Sequence, residues 1–208
     1  MKSFLSQALV DNGYHFKESI TQQFSAYLEL LHHWNRVFNL TAIRNPNDGV
    51  LLHIIDSLSI RDYLHGAQII DVGSGAGLPG IPLALTCPDK QFVLLDSSHK
   101  KTRFLTQVVH ELNLQNVTVV HARSESFHPP QGFDSIITRA FASLRVMLLA
   151  TEHLLNEQGQ FLAMKGSYPG RELNEIPKEF TVLAVHKLKL HGLDVERHLV
   201  CIKGARSG

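Results

Sequence analysis

The apolar positions of this chain follow two different periods, one before and one after residue 65. Between Thr21 and Phe38 they recur every three or four residues, which predicts a helix with one buried stripe, formed by Phe24, Tyr27, Leu28, Leu31, Trp34 and Phe38. Another helix is predicted from Asp48, as its N-cap, to Leu64. Residues 1–64 are therefore interpreted as an N-terminal helical extension.

From residue 65 onward, short apolar runs alternate with amphipathic segments. The predicted strands are 68–72, 91–96, 117–121, 133–138, 159–165, 180–190 and 196–203, and the predicted helices are 80–87, 98–113, 143–155 and 168–176. Such alternation predicts an α/β fold with a mainly parallel sheet and right-handed crossovers. Only a short turn around Gly192-Leu193-Asp194 separates the last two strands, so we expect the final strand to be antiparallel. Residues 65–208 are interpreted as one compact domain.

Composition narrows the class of protein. With 208 residues, 44% hydrophobic and 19% charged, the chain resembles an ordinary globular protein that can bury a sizeable core. A net charge of +1 gives no overall attraction to nucleic acid, so any such binding needs a local basic patch. The chain shows no membrane-length apolar run and no signal-peptide core, which predicts a cytoplasmic location. Cys87 and Cys201 lack metal or redox spacing and are expected to be buried free thiols, and no metal site is expected.

The segment from Ile69 to Gly80 carries the clearest chemical signal. A short strand ends near Asp71, and glycines alternate before an apolar helix begins. Glycine permits the positive φ of a tight turn and lets a ligand lie against bare backbone, while the following helix offers unpaired N–H groups. This pattern predicts a site for a nucleotide-type cofactor.

Two interpretations of these glycines compete. Gly75-x-Gly77-x-x-Gly80 fits a dinucleotide fingerprint, with Asp96 at the expected spacing for a ribose hydroxyl. Asp71-x-Gly73-x-Gly75-x-Gly77 instead resembles motif I of class I S-adenosylmethionine (SAM) methyltransferases. Asp71 would repel a pyrophosphate but attract the cationic amino group and sulfonium of SAM. The sequence therefore favours SAM.

The predicted strand ends give the remaining cofactor contacts, because ligands of such sheets bind beyond the carboxyl ends of the strands. Asp71 and the loop with Gly73, Gly75, Gly77 and Leu78 are expected to hold the amino acid half of SAM. Asp96 is expected to bind the ribose hydroxyls, with capping of the next helix as the alternative. Ser124 and Glu125 are expected to border the adenine, although Glu125 also suits the first turn of a helix.

The fourth strand end, Arg139-Ala140-Phe141-Ala142-Ser143, lacks the motifs of several methyltransferase classes. It has no Asn/Asp-Pro-Pro-aromatic motif for an exocyclic amine, and neither cysteine is placed as the nucleophile of a C5 enzyme. Lys165 and Glu196 could mimic two members of the Lys-Asp-Lys-Glu tetrad of ribose methyltransferases, but Arg139 replaces the aspartate. An acceptor that needs no proton removal, such as an aromatic ring nitrogen, fits better.

Several motifs occur together and in order: Trp34-Asn35, Asn39-Leu40-Thr41, His53 to Leu58, Asp71 to Leu83, Arg139 to Ser143, Met164-Lys165-Gly166 and Glu196 to Val200. Over nearly its whole length the chain resembles the bacterial 16S rRNA guanine-N7 methyltransferases of the RsmG family. The resemblance implies a Rossmann-like class I fold with strand order 3-2-1-4-5-7-6, the cofactor SAM and the product S-adenosylhomocysteine. It also implies methylation of a guanine, expected to be guanine 527, in the decoding-region loop of 16S rRNA in the 30S subunit. It places Arg139 beside SAM.

Guanine N7 has a lone pair and no proton, so direct in-line attack would need positioning rather than a general base. The positioning candidates are Arg139, Lys165 and His53. His53 and Asp56 could line an acceptor pocket or form a buried polar pair, and Phe141 could stack on a base or pack in the core. The candidate RNA contacts are Lys100, Lys101, Arg103, Arg123, Lys165 and Arg197, each of which could equally be a solvated charge.

Two other functions stay open from the sequence. A small-molecule SAM methyltransferase would use the helical extension as a substrate lid. A non-catalytic SAM- or nucleotide-binding module would use the same loop without chemistry. We expect neither a membrane nor an obligate protein partner.

Overall fold

The computed structural model describes residues 2–141 and 143–204. Its seven strands are β1 (Gln68–Val72), β2 (Gln91–Asp96), β3 (Val117–His121), β4 (Phe133–Arg139), β5 (Leu155–Lys165), β6 (Thr181–Lys187) and β7 (His198–Lys203). Its α-helices are α1 (Lys2–Asp11), α2 (Glu18–Phe38), α3 (Pro46–Gly49), α4 (Asp56–Leu58), α5 (Gly80–Thr86), α6 (His99–Glu111), α7 (Leu144–Thr151) and α8 (Gly170–Asn174). A π-helical stretch, Val50–Ile55, joins α3 to α4, and 3₁₀ turns occur at Arg61–Tyr63, Ser124–Ser126 and Glu152–Leu154.

The strands form one sheet in the order β3-β2-β1-β4-β5-β7-β6, with β7 antiparallel to both neighbours. This confirms the predicted order and the reversed last strand. In the parallel part, Val72 lies opposite Leu95 of β2 and Thr138 of β4. The carboxyl ends of these three strands therefore reach the same edge of the sheet, where Asp96 and Arg139 end their strands.

The predicted helix from Asp48 to Leu64 is wrong at both ends. Helix α3 begins at Pro46, and Asn45 is its N-cap, with Oδ1 accepting a hydrogen bond from the Asn47 N–H at 2.9 Å. Proline fits the first helical position because it lacks an N–H and fixes φ, so capping moves to the residue before it. Asp48 then lies inside the helix, and the helical run ends at Leu58.

The helix predicted for 143–155 ends at Thr151, and β5 starts at Leu155 instead of residue 159. The first half of β5 is polar, so its sequence lacks the alternation that signals a strand. Pairing with β4 stabilises it instead, from Phe133 opposite Leu155 through an irregularity to Ser135 opposite Gln160. The last two strands are shorter than predicted, as is α8.

The helical extension packs directly on the SAM-type loop. Helix α2 buries Phe24, Tyr27, Leu28 and Leu31, and Tyr27 donates a hydrogen bond through its hydroxyl to the carbonyl of Ala76 at 2.7 Å. One apolar cluster contains these residues together with side chains of α5, β2 and α6. Full burial of each large apolar side chain contributes about 1.5–3 kcal/mol. The extension therefore supports the glycine loop from behind, and the proposed boundary at residue 64 crosses a shared core.

Cys87 and Cys201 are buried free thiols, as predicted. Burial raises the pKa of Cys201 to about 11. Among the described residues, no helix combines the length and the hydropathy that a membrane span requires.

Candidate active site

A cavity of about 290 Å³ opens at the carboxyl ends of β1, β2 and β3. We call it the β1–β3 cavity; it is lined by Val72, Gly73, Leu95, Asp96, Ser97, Lys101, Ala122, Arg123, Ser124, Glu125 and Phe141. It therefore contains four of the predicted cofactor residues, namely Gly73, Asp96, Ser124 and Glu125.

The glycines of the loop have different tasks. Gly73 has φ +74°, and a Cβ added there would meet nothing within 4 Å, so it leaves open space at the cavity wall. Gly77 has φ +87°, and a Cβ there would lie 2.6 Å from Cγ1 of Ile81. Gly77 and the buried Leu78 are not among the residues that line the β1–β3 cavity, and Gly77 packs closely on Ile81; their contact with the cofactor stays a prediction.

Asp71 lies beneath the glycine loop, closed to solvent. Its Oδ2 accepts a hydrogen bond from the Gly80 N–H at 2.9 Å, and its Oδ1 is a buried atom without a hydrogen-bond partner. Burial raises the pKa of Asp71 to about 7. The carboxylate thus lacks the surface position expected for a direct contact, but a cation bound above the loop would stabilise its charged form. That property fits SAM and opposes a pyrophosphate.

Asp96 connects the loop to the start of α6. Its Oδ2 accepts from the Gly75 N–H at 2.9 Å and its Oδ1 from the N–H of Ser98, the N-cap residue of α6, at 2.8 Å. Lys101 Nζ lies 3.6 Å from Oδ2. Ser98 rather than Asp96 is therefore the N-cap of α6, so the capping alternative is wrong, and Asp96 instead holds the backbone on both sides of it while it lines the cavity. Each carboxylate oxygen has a further lone pair, so ribose binding stays a prediction.

Ser124 and Glu125 form the far wall. The Ser124 hydroxyl donates to Oε2 of Glu125 at 3.1 Å. The backbone N–H of Glu125 itself, followed by this hydroxyl, lowers the pKa of the exposed carboxyl. Glu125 is thus an ionised acceptor at the cavity edge, which suits the edge of an adenine.

A second cavity, of about 400 Å³, lies at the carboxyl ends of β4 and β5. This β4–β5 cavity is lined by Thr41, Ile43, Leu52, His53, Asp56, Arg139, Ala140, Met164, Lys165, Gly166 and Arg197. It brings together residues of five of the motifs found in the sequence, and it includes all three positioning candidates.

Asp56 is the centre of the charges in this cavity. Its Oδ1 accepts a hydrogen bond from Arg197 Nε at 2.8 Å, and its Oδ2 lies 3.3 Å from Arg139 Nη1. Arg139 Nη1 also donates to the carbonyl of Leu52 at 3.2 Å. Asp56 and His53 both line the cavity, as one alternative predicted, and the carboxylate pairs with two guanidinium groups rather than with His53.

His53 is a buried, uncharged side chain. Its Nε2 lies 3.3 Å from Oγ1 of Thr41, and its Nδ1 has no hydrogen-bond partner among the described residues. Burial, followed by the charge of Arg139, lowers the pKa of His53 to about 4. The imidazole is therefore neutral at physiological pH and a weak base.

Lys165 is held by helix α8. Its Nζ lies 2.7 Å from Oε2 of Glu172, which also accepts the Leu144 N–H at 2.7 Å. Glu196 instead lies beside Lys187, at 3.4 Å, and does not line the cavity. Lys165 and Glu196 therefore do not come together, which agrees with the rejection of the tetrad on the ground that Arg139 replaces its aspartate.

The segment from Arg139 to Phe141 separates the two cavities. Arg139 and Ala140 line the β4–β5 cavity, whereas Phe141 lines the β1–β3 cavity and packs on the core beneath it. Ala140 has φ +63°, a conformation that costs a residue with a Cβ about 1–2 kcal/mol. A methyl donor on one side and a planar acceptor on the other would meet at this strained segment.

The six candidate RNA contacts lie in different parts of the structure. Lys101 and Arg123 line the β1–β3 cavity, and Lys165 and Arg197 line the β4–β5 cavity. Lys100 donates through Nζ to the carbonyl of Phe38 at 3.1 Å, and Arg103 is exposed on α6 and lines neither cavity.

Sequence reasoning did not identify Thr41, Leu52, Ala140 and Met164 as site residues. The only signal for Thr41 was its place in the Asn39-Leu40-Thr41 motif. In the structure the Asn35 amide hydrogen-bonds to both the N–H and the carbonyl of Thr41, each at 2.9 Å, which fixes the loop at the cavity wall.

Comparisons with known proteins give evidence on the fold and on the family of this chain. Solved structures show the fold: a SAM-dependent methyltransferase from Aquifex aeolicus covers 73% of this chain and 91% of its own, at a TM-score of 0.59 and 15% identity. The glycopeptide N-methyltransferase MtfA, complexed with S-adenosylhomocysteine, matches 72% of this chain and 86% of its own length. The TM-score is 0.62 and the sequence identity is 10%.

Sequence relatives are much closer. A ribosomal RNA small subunit methyltransferase G from Idiomarina loihiensis is 47% identical over 202 residues, covering 97% of this chain and 96% of the relative. The protein of the same name from Salmonella agona is 47% identical over 203 residues, covering 98% of each. The model of the family described as rRNA small subunit methyltransferase G matches residues 20–200.

These matches confirm the family resemblance and the SAM interpretation of the glycine loop. The chain belongs to the rRNA small subunit methyltransferase G family, whose cofactor is SAM.

Proposed function

We propose that the chain transfers a methyl group from SAM to N7 of a guanine in small-subunit ribosomal RNA, expected to be guanine 527 of 16S rRNA. One observation carries this proposal: the β4–β5 cavity is lined by the cationic side chains of Arg139, Lys165 and Arg197, and among the described residues of its lining none is a free, strong proton acceptor. Asp56 is engaged by Arg139 and Arg197, and His53 is neutral with a pKa of about 4.

The β1–β3 cavity is the proposed cofactor site. Gly73 leaves the space for the ligand, Asp96 faces the ribose, and Ser124 with Glu125 borders the adenine. Asp71 favours a cation above the loop. Bound there, SAM supplies a methyl group activated by the adjacent sulfonium.

The acceptor side needs orientation more than acid–base chemistry. Guanine N7 already has an available lone pair, and the neighbouring O6 accepts hydrogen bonds from arginine. Arg139 and Arg197, held by Asp56, are suited to O6 or to a phosphate, which leaves N7 free. The base must leave any stack or pair to enter the cavity, as in most sequence-specific RNA recognition.

The 47% identity to named rRNA methyltransferases over nearly the full chain disfavours both a small-molecule substrate and a non-catalytic binding role. The proposed partner is 16S rRNA, naked or within the 30S subunit, and the proposed location is the cytoplasm. No further protein partner is proposed.

Transfer of a tritiated methyl group to 30S subunits, naked 16S rRNA and free nucleosides tests the proposal, with the modified base mapped. We expect N7-methylguanine in RNA and no transfer when 7-deazaguanine replaces the target, because that ring has C–H in place of the nucleophilic nitrogen. The single-turnover rate should be nearly flat through neutral pH. Methylation of the deaza RNA, or a rate that rises with one side-chain pKa, would contradict the proposal.

A further inference from the structure

A third cavity lies between helix α2 and the chain that enters α3. We call it the α2–α3 cavity; its volume is about 300 Å³. Its walls are largely aliphatic and include Leu28, Leu31, Ile43 and the ring of Pro46, with Gly49 at its base.

The two amide side chains in the wall of this cavity are already used to build it. The Asn35 amide is occupied by both backbone groups of Thr41, and Asn45 Oδ1 accepts from the Asn47 N–H. An occupant would therefore be held through its faces against aliphatic walls rather than by hydrogen bonds to its edges. A flat ring that can be packed on both faces, such as an unpaired nucleobase, fits this requirement.

The α2–α3 cavity adjoins the β4–β5 cavity. Thr41, Ile43 and His53 line both, and the contact of 3.3 Å between Thr41 Oγ1 and His53 Nε2 is the partition. One ligand can therefore place neighbouring groups in the two cavities. For an RNA whose target base enters the β4–β5 cavity, the neighbouring group is the next nucleobase along the strand.

Charge at the wall is compatible with a nucleotide. Arg44 is exposed beside the cavity, where its planar cation can contact a phosphate or the face of a base. The opposing charge is Glu29, whose Oε1 accepts a hydrogen bond from Ser25 at 3.1 Å. His32 completes the polar side of the wall.

We propose that the α2–α3 cavity binds the unpaired nucleobase directly adjacent to the target guanine. The proposal rests on the proposed function, because it takes the substrate to be RNA and the β4–β5 cavity to hold the acceptor. The neighbouring base is held through its faces and not by hydrogen bonds that distinguish one base from another, so the cavity tolerates different bases. Its binding there helps to keep the target base out of the stack.

Gly49 allows a direct test. A Cβ at Gly49 would lie 3.8 Å from Cδ2 of Leu28 and 3.9 Å from Cδ2 of His53, which is ordinary contact, and its φ of −60° suits any residue. Gly49→Leu should fill the cavity, and Gly49→Ala should fill part of it. Asn47→Leu adds the same side chain two residues away, at an exposed position that does not line the cavity.

The probes are RNA trinucleotides with a central guanosine, bound in the presence of S-adenosylhomocysteine, with either neighbour made abasic. We expect one abasic neighbour to weaken binding about tenfold. Gly49→Leu should cause a similar loss and remove the sensitivity to that neighbour, with Gly49→Ala intermediate and Asn47→Leu like the parent. The methyl resonances of Leu28, Leu31 and Ile43 should shift with the intact trinucleotide and not with the abasic one. Melting temperatures establish that each variant is folded.

Undiminished binding of both abasic probes, undiminished binding by folded Gly49→Leu, or unshifted methyl resonances at saturation would overturn the proposal. A Gly49→Leu defect on 30S subunits alone, absent with naked RNA, would indicate a ribosomal protein instead and would also overturn it. A central 7-deazaguanosine separates the two proposals. If that probe is still methylated in a parallel reaction that contains SAM, while the neighbour effect persists in the binding experiment, the N7 assignment fails and the cavity assignment stands.

Discussion

The carboxylate of Asp56 accepts a hydrogen bond from Arg197 Nε at 2.8 Å, although 141 residues separate them in the sequence. The same carboxylate holds Arg139. One buried acid thus fixes the directions of two guanidinium groups at the acceptor cavity. The pairing explains how two like charges converge on a site that must stay open for a base.

Asp56→Asn should reduce methylation of RNA much more than affinity for SAM. The amide cannot accept from both guanidinium groups, so both side chains lose their fixed orientation, and loss of hydrogen bonds to charged groups should cost about 1–3 kcal/mol of folding stability. Steady-state kinetics on RNA and calorimetry with SAM measure the two effects. Asp62→Asn, at an exposed position, is the matched control. Equal losses in both measurements would assign Asp56 to the cofactor site or to folding alone.

Gly73 and Gly77 should separate ligand binding from stability. Gly73→Asn tolerates positive φ but places a side chain in the open space of the β1–β3 cavity, so we expect SAM binding to be lost with cooperative unfolding retained. Gly77→Ala brings a methyl group against Ile81, and overpacking of this kind costs about 1–3 kcal/mol. Calorimetry and thermal unfolding distinguish the two. Retention of normal SAM affinity in Gly73→Asn would contradict the cofactor assignment.

The buried Asp71 should make stability depend on pH. Burial raises its pKa from 3.8 to about 7, so the folded state holds a proton that the unfolded state releases across this range. Stability should therefore decrease as pH rises from about 4 to 7, with a slope of at most about 1.4 kcal/mol per pH unit.

Below pH 6.5, the titration of His53 changes the folding stability in the opposite direction to that of Asp71. Its pKa falls to about 4 on folding, so its contribution to stability is lost as pH decreases from 6.5 toward 4. A comparison with Asp71→Asn isolates the carboxyl, and the variant should gain stability relative to the parent as pH rises toward 7. A difference between the two proteins that is constant with pH would show that Asp71 titrates normally.

The exposed basic side chains should affect RNA binding through phosphates. Arg103→Ala and Arg123→Ala should each weaken RNA binding and reduce its salt slope by about one if each contacts one phosphate. Lys100→Ala should change binding less, because Nζ of Lys100 is bound to the carbonyl of Phe38. Binding isotherms at several salt concentrations check this. An unchanged slope for both arginine variants would remove them from the RNA surface.

Much of the fold was predictable because its signals are local. The two periods of apolar residues identified the helical extension and the strands, and the spacing of Asp71, Gly73 and Gly75 identified the cofactor loop. These patterns report backbone requirements within a few residues. The start of β5 was not predicted, because its signal is not local: the polar first half of this segment is a strand only because β4 supplies its hydrogen bonds.

The sequence by itself determined the topology, the cofactor loop and the family, whereas the tertiary structure decided the partners of the charged groups. Nothing local to Asp56 distinguishes a carboxylate paired with His53 from one that holds Arg139 and Arg197. The neutral state of His53, the ion pair between Lys165 and Glu172 and the residues shared by the α2–α3 and β4–β5 cavities likewise arise only from packing. Charge pairing and burial depend on distances between segments that the chain brings together from opposite ends, and a one-dimensional pattern contains no such distances.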